Sequence, residues 1–261
     1  MEEFYIDADG IKLHAKLDKP EGVSTCPLLI LLHGLTGHME ERHIVAVAHA
    51  ACEVGYAVLR VELYGHGKSD GDFCNHTLYK WINNALAVID YAKGLDWATH
   101  LCMAGHSQGG YTTMLVAGMR HDDLKAILPL SPAIVIEDGA RSGILLGMHF
   151  DPKHIPNQIF LGDPDLAERD PEFAKRYTIC GDYLRVAQTL HVHEAIDRFA
   201  GPVLLVHGDA DESVPVHYSI DAAERYENAR LVIVEGDSHC YDFHLDKVTA
   251  AVKDFLLEQR I

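Results

Sequence analysis

The sequence predicts an α/β protein built on one doubly wound, mostly parallel β-sheet. Two observations carry this prediction. Short apolar runs of strand length alternate with longer segments of helical spacing, and glycine-bearing loops follow several of the strands. The alternation breaks only between residues 133 and 193, where glycine and proline recur without a long periodic segment. A structureless stretch of that length is improbable in a compact domain, so we interpret it as an inserted lid.

The domain organisation follows from that break. Residues 1–132 and 194–261 are predicted to form the core, and residues 133–193 the inserted lid or cap. The insertion lies between the sixth predicted strand, Leu124 to Leu130, and the next predicted strand, Val203 to Val206. With 261 residues, 48% of them hydrophobic, the chain is long enough to bury one large core.

The individual elements are predicted from hydrophobic spacing and turn signals. Asp9-Gly10 is a hairpin signal between strands over Phe4 to Ala8 and Ile11 to Leu17. The continuous apolar run Leu28 to Leu32 is typical of a central strand covered on both faces. Further strands are predicted over Ala57 to Leu63, Leu101 to Ala104, Leu124 to Leu130, Val203 to Val206 and Leu231 to Val234. Helices are predicted over residues 39–54, Trp81 to Tyr91, Tyr111 to Met119, Val216 to Tyr226 and Lys247 to Gln259.

Composition and charge exclude several classes of function. The net charge of −17 argues against nucleic acid as a partner, because phosphates would be repelled. Six cysteines without framework spacing favour reduced thiols and a cytoplasmic location. We expect no secretory signal in the acidic N-terminus, and no membrane span, because no apolar stretch reaches about 18 residues. Eighteen histidines show no H-E-x-x-H or similar ligand pair, so no metal or cofactor is expected.

A candidate nucleophile lies between the predicted strand at Leu101 and the helix that begins near Tyr111. Gly105-His106-Ser107-Gln108-Gly109 fits the pattern G-x-S-x-G, in which a sharp strand-to-helix turn exposes a serine hydroxyl. Only residues without side chains fit beside such a strained turn. The first helix amides, that of Gln108 among them, point at the atom that the hydroxyl attacks.

A serine hydroxyl needs a base to accept its proton and an acid to orient that base. Asp211 follows the predicted strand 203–206, and His239 follows the strand 231–234. Together with Ser107, both fall at the carboxyl ends of parallel strands, where α/β sheets bind ligands. Asp209 is the alternative acid, two residues before Asp211.

The loop His33-Gly34-Leu35-Thr36-Gly37 follows the central strand and is the second candidate for an oxyanion site. We expect the backbone N–H of Leu35 to donate to the oxyanion. His33 is interpreted as shaping this loop, and His106 as a packing residue rather than a proton carrier.

These motifs resemble the α/β-hydrolases. HGLTG, GHSQGG, HGDADESVP and EGDSHC stand in the order that this superfamily shows, and the resemblance covers essentially the whole chain. It implies a Ser107, Asp211 and His239 triad and an oxyanion hole made by the amides of Leu35 and Gln108. The superfamily pattern H-G-x-x-D selects Asp211 over Asp209.

Within that superfamily the chain is most similar to the bacterial cinnamoyl (feruloyl) esterases, which carry an inserted lid of about this size. The segments SPA, DPKHIP and GDYLRVAQTL, with Cys240 after the base, carry the resemblance. It implies esters of ferulic, caffeic and p-coumaric acids as substrates. Asp138 matches a lid aspartate that binds the phenolic hydroxyl. Ile144-Leu145-Leu146 replaces a glutamine of some relatives, which favours less hydroxylated acyl groups.

We therefore predict a serine carboxylesterase that binds a small aromatic ester and requires no cofactor. The alternatives are an esterase or lipase for monoacylglycerols or simple alkyl esters, a peptidase of the same fold, and a non-catalytic ligand-binding protein. Analogy with relatives suggests a homodimer.

Overall fold

The computed structural model describes residues 1–161 and 177–260. In chain order its strands are β1 (Glu2–Ala8), β2 (Ile11–Asp18), β3 (Cys26–Leu32), β4 (Ala57–Val61), β5 (Ala98–His106), β6 (Leu124–Leu130), β7 (Ile144–Leu145), β8 (Met148–His149), β9 (Gln158–Phe160), β10 (Thr178–Cys180), β11 (Val203–Gly208) and β12 (Ala229–Val234). Its helices are α1 (Arg42–Glu53), α2 (Leu78–Lys93), α3 (Gln108–Met119), α4 (Val135–Ser142), α5 (Asp182–Ala187), α6 (Val192–Ile196), α7 (His217–Arg225) and α8 (Leu245–Glu258).

The central sheet runs in the order β1-β2-β4-β3-β5-β6-β11-β12. β1 pairs antiparallel with β2, and β2 pairs antiparallel with β4. Every other neighbouring pair in this sheet is parallel. The predicted doubly wound, mostly parallel α/β fold is therefore confirmed. The parallel strands β3, β5, β11 and β12 end at one edge of the sheet, where the loops of the candidate site begin.

Both faces of the sheet are covered, which explains the continuous apolar run in β3. Leu28, Ile30 and Leu32 belong to one buried cluster, which also contains Trp81 of α2. Leu29 and Leu31 point to the opposite face and belong to a second cluster with Ile44 of α1. Successive side chains of a strand point to opposite faces, so a strand between two helical layers must be apolar at every position.

The predicted boundaries differ from the structure most clearly next to the G-x-S-x-G turn. α3 begins at Gln108 rather than at Tyr111, so Gly109 and Gly110 lie inside the helix. Glycine is a poor helix former, and the apolar spacing starts only at Tyr111. Close packing overrides that preference, because a Cβ on Gly109 would stand 2.3 Å from the backbone oxygen of His33.

Between β6 and β11 the described residues fold into short helices and two small antiparallel strand pairs, β7–β8 and β9–β10. The middle of the predicted lid, residues 162–176, lies outside the described residues. The first residue of the segment is held to the core, since the Ala133 N–H donates to the Ser107 carbonyl oxygen at 3.0 Å. Near both ends, the buried Glu137 carboxylate accepts from the Tyr111 hydroxyl at 2.6 Å and the Val192 N–H at 2.7 Å.

No helix within the described ranges is long and apolar enough to cross a membrane. All six cysteines are free thiols.

Candidate active site

Ser107 occupies the sharp turn between β5 and α3. Its backbone has φ 55° and ψ −120°, a region that residues with side chains rarely adopt. A Cβ on Gly105 would stand 2.3 Å from the backbone of Gly109, and one on Gly109 would stand 2.3 Å from the His33 oxygen. Both flanking positions therefore require glycine. This is the geometry that the G-x-S-x-G pattern predicts.

Asp211 and His239 meet at the ends of β11 and β12. The Nδ1 atom of His239 lies 2.6 Å from Oδ2 of Asp211. The N–H groups of Ser213 and Val214 each donate to Oδ1 of Asp211 at 2.8 Å. Burial would raise the pKa of Asp211, but hydrogen bonds from His207 and His239 outweigh it and hold the pKa well below its ordinary value. The carboxylate is thus ionised, and it holds the proton of His239 on Nδ1.

His207 is a supporting residue that the sequence reasoning did not assign. Its buried imidazole lies with Nε2 at 3.1 Å from Oδ2 of Asp211 and with Nδ1 at 2.7 Å from the Ser219 hydroxyl. His207 is the first residue of the H-G-x-x-D pattern, so that pattern contained the signal. The histidine adds a second fixed partner for the acid.

The structure brings Asp211, rather than Asp209, to the candidate base. Asp209 is exposed, and its Oδ1 accepts from the Gly236 N–H at 2.6 Å. It joins the loops after β11 and β12 instead of contacting His239. The loop of His239 is further fixed by buried Asp237, which accepts hydrogen bonds from the N–H groups of Phe243 and His244.

Ser107, His239, Leu35 and Gln108 all line one cavity of about 310 Å³. Within the described ranges, the N–H groups of Leu35 and Gln108 donate no hydrogen bond, as an oxyanion hole requires. The Ser107 hydroxyl and Nε2 of His239 also make none within those ranges, so both remain available in the cavity. Catalytic hydrogen bonds of this kind often tighten only when substrate binds.

The loop that carries Leu35 is shaped by His33, in agreement with the sequence interpretation. Nδ1 of His33 lies 2.7 Å from the Gly34 oxygen, and the Leu63 N–H donates to Nε2 at 3.2 Å. Burial, assisted by His66, lowers the pKa of His33 to about 3. The imidazole is therefore neutral, with its proton on Nδ1, and it serves as a fixed brace between two loops.

Gln108 is also held through its side chain, by contacts that the sequence did not reveal. The Tyr183 hydroxyl donates to Oε1 of Gln108 at 2.7 Å, and Nε2 of Gln108 lies 2.8 Å from Nε2 of His76. All three side chains are buried. Tyr183 belongs to the segment between β6 and β11, so that segment helps to position the second candidate oxyanion donor.

The same segment supplies an apolar wall to the cavity. The wall includes Val135, Ile136, Leu146, Leu161, Tyr177 and Tyr183. Leu146, from the apolar Ile144-Leu145-Leu146 stretch, is thus at the cavity. Asp138 is exposed outside the lining, and its Oδ2 accepts from the Tyr218 hydroxyl at 3.1 Å. Burial, reinforced by Asp138, raises the pKa of Tyr218 to about 12. The phenol-binding role of Asp138 stays a prediction.

Comparison with known proteins identifies the family of the chain. The family model for serine aminopeptidase, S33, matches residues 24–242. Est1E from Butyrivibrio proteoclasticus, whose structure was solved with ferulic acid bound, is 52% identical in sequence to this chain. The two structures superpose with a TM-score of 0.92, and the match covers 98% of this chain and 98% of Est1E.

Curated relatives are more distant. The palmitoyl-protein thioesterase ABHD10, mitochondrial, of Rattus norvegicus is 26% identical over 204 residues, which are 76% of this chain and 63% of the rat protein. The match therefore spans less than two thirds of that relative. The monoglyceride lipase of Mus musculus is 23% identical, covering 95% of this chain and 86% of the lipase.

Proposed function

Because the chain belongs to the serine aminopeptidase S33 family of α/β-hydrolases, we propose that it is a serine carboxylesterase for hydroxycinnamate esters, namely ferulate, caffeate and p-coumarate. The observation that carries the proposal is the cavity itself. It brings together Ser107 in its strained turn, the imidazole of His239 oriented by Asp211, and two backbone amides that have no partner among the described residues, all beside an apolar wall. The likeness to Est1E with ferulic acid bound supports the aromatic acyl group.

In the first half of the reaction, Ser107 attacks the ester carbonyl while Nε2 of His239 accepts the hydroxyl proton. The ionised Asp211 stabilises the imidazolium that forms. The amides of Leu35 and Gln108 bind the developing oxyanion. Each such donor contributes on the order of 3 kcal/mol to transition-state stabilisation. The tetrahedral intermediate then expels the alcohol, which takes its proton from His239.

In the second half, a water molecule enters the place of the alcohol. His239 accepts a proton from this water, whose oxygen attacks the acyl carbonyl of the Ser107 ester. Collapse of the second tetrahedral intermediate releases the hydroxycinnamate and returns the proton to Ser107. None of these steps uses a cofactor.

We further propose that residues 133–193 act as the lid over this site. The apolar side chains that the segment contributes would cover the aromatic ring, and its Tyr183 reaches the Gln108 donor. Burying an apolar ring against such a wall contributes about 25 cal/mol for each Å² removed from water. Free thiols throughout the chain support a reducing compartment, and we propose the cytoplasm.

The deciding experiment compares Ser107→Ala with wild type on methyl ferulate. Ser107→Ala should abolish turnover and labelling by a fluorophosphonate probe, while circular dichroism and the melting temperature stay unchanged. Ser142→Ala, which changes a serine of α4 outside the cavity, is the matched control and should keep full activity. Comparable activity in Ser107→Ala would refute the assignment.

A second candidate is hydrolysis of monoacylglycerols. It is favoured by the likeness to the mouse monoglyceride lipase along most of both chains. The two candidates share nucleophile, base and acid, so only the preference among ester substrates separates them. Our proposal expects a higher kcat/KM for methyl ferulate than for a short-chain monoglyceride. Cleavage of aminoacyl anilides in preference to both would instead indicate a peptidase.

A further inference from the structure

We propose that His43, His106 and Cys240 form a zinc site against the catalytic base, through which Zn²⁺ inhibits the enzyme. One ligand atom from each of these three side chains lies within 4.8 Å of the other two. Two imidazole nitrogens and one thiolate sulfur are a donor set that Zn²⁺ prefers. Ester hydrolysis by Ser107 does not use any of them as a reacting group.

His43 supplies the strongest observation that points to a ligand. It lies on α1 and is 4% exposed, and its buried Nε2 atom has no hydrogen-bond partner in the part of the chain that the structure describes. A buried polar nitrogen without a partner destabilises the fold, so such atoms are rare unless a ligand satisfies them. Burial lowers the pKa of His43 to about 4, which leaves the imidazole neutral and able to bind a metal at neutral pH.

His106 is held in the tautomer that a metal requires. Its Nε2 lies 2.8 Å from the backbone oxygen of His239. A carbonyl oxygen only accepts hydrogen bonds, so Nε2 carries the proton of the neutral ring and Nδ1 carries the lone pair. Metal-binding histidines are commonly oriented in this way by a carbonyl on the opposite nitrogen. The rings of His106 and His43 are 4.2 Å apart between centroids.

Cys240 completes the set and connects it with the cavity. Cys240, His106 and Glu41 all line the cavity of the candidate active site, so an ion can enter from there. Burial raises the pKa of the Cys240 thiol to about 11. Binding therefore converts the thiol and Zn²⁺ into a zinc thiolate and one released proton. The carboxylate of Glu41, 3.9 Å from Nε2 of His43, or a water can occupy the fourth position.

The site lies close enough to the base to affect catalysis. The His106 and His239 rings are 4.7 Å apart between centroids, and His106 also holds the His239 backbone. A divalent cation there disfavours the imidazolium that His239 must become. This inhibitory part rests on the proposed esterase function, whereas metal binding itself does not.

The first test is independent of activity. The metal-free enzyme is titrated with Co²⁺, used as a spectroscopic substitute for Zn²⁺, and with Zn²⁺ in competition. We expect one ion per chain and a thiolate-to-cobalt charge-transfer band that Cys240→Ser abolishes. Cys52→Ser is the matched control, because Cys52 is a half-buried thiol on the same helix as His43. Absence of the band in wild type, or its persistence in Cys240→Ser, would overturn the site.

The second test measures inhibition of methyl ferulate hydrolysis by Zn²⁺, each variant being referred to its own uninhibited rate. Cys240→Ser and His43→Asn should raise the inhibition constant by roughly tenfold or more, since even residues that only support a ligand contribute that much. Cys52→Ser should not change it, and a chelator should restore activity. Equal inhibition in all variants refutes the inhibitory role. A wild type without esterase activity refutes the proposed function, while the cobalt titration still decides the site.

Discussion

Several histidines around the candidate site are buried. We expect the free energy of unfolding of the protein to fall in mild acid because of them. Burial is the main cause that lowers the pKa of His33 to about 3 and those of His43 and His66 to about 4. The ordinary histidine value is about 6.5. In the folded protein these rings therefore stay neutral well below the pH at which the unfolded chain takes up protons.

The sign and size of the effect follow from proton linkage. Between about pH 6.5 and about pH 4 the unfolded state binds more protons, so the free energy of unfolding falls as the pH falls. From about pH 7 to about pH 5.5, each ring lowers the free energy of unfolding by about 1.2 kcal/mol. Three such rings together lower it by about 4 kcal/mol, a large part of the 5–15 kcal/mol that is typical of whole domains.

Urea titrations at a series of pH values would measure this fall, with dichroism as the readout. His43→Leu removes one titrating ring and no hydrogen bond among the described residues, so it should reduce the fall between about pH 7 and about pH 5.5 by about 1.2 kcal/mol. His49→Leu is the matched control, because His49 is exposed on the same helix, and should leave the dependence unchanged. A free energy of unfolding that is constant between about pH 7 and about pH 5.5 would refute the reasoning.

Three further predictions concern the proposed chemistry. Gly109→Ala should eliminate methyl ferulate hydrolysis and lower the melting temperature, because the new Cβ would stand 2.3 Å from the His33 oxygen. Asp211→Asn should reduce kcat by about 10⁴-fold with little change in KM, as measured by steady-state kinetics, since the base loses its fixed tautomer. Leu146→Gln adds a polar group to the cavity wall and should raise kcat/KM for methyl caffeate relative to methyl ferulate by about threefold to tenfold, the contribution of one hydrogen bond. An unchanged ratio would contradict the position assigned to Leu146.

The sequence was sufficient for the features that depend on local pattern. The uninterrupted apolar run correctly predicted that β3 is a central strand covered on both faces. The Asp9-Gly10 pair correctly predicted the hairpin between β1 and β2. The sharp turn at Ser107 is recognisable from five consecutive residues. Gly105 is required by close contact with Gly109 inside the turn, and Gly109 by close contact with the end of β3, the neighbouring strand in the sheet. The resemblance to α/β-hydrolases is confirmed by the family match over residues 24–242.

Other features depend on residues that meet only in the folded chain. Tyr183 and Gln108 are 75 positions apart, and His106 and His239 are 133 apart, so no spacing pattern connects them. The sequence gives no sign of a role for His43, because its neighbours in space, His106 and Cys240, lie far from it along the chain. The exposed position of Asp138 beside Tyr218 likewise depends on how two distant helices pack.

The attachment of the segment between β6 and β11 has a consequence for how such enzymes diversify. The N–H of its first residue, Ala133, donates a hydrogen bond to the carbonyl oxygen of Ser107. The carboxylate of Glu137, near the beginning of the segment, accepts a hydrogen bond from the N–H of Val192, near its end. Both boundaries are thus fixed to the core independently of what lies between them. Under the proposed function, the intervening stretch can therefore change in sequence and alter which acyl groups are accepted, provided that Tyr183, which holds Gln108, is kept.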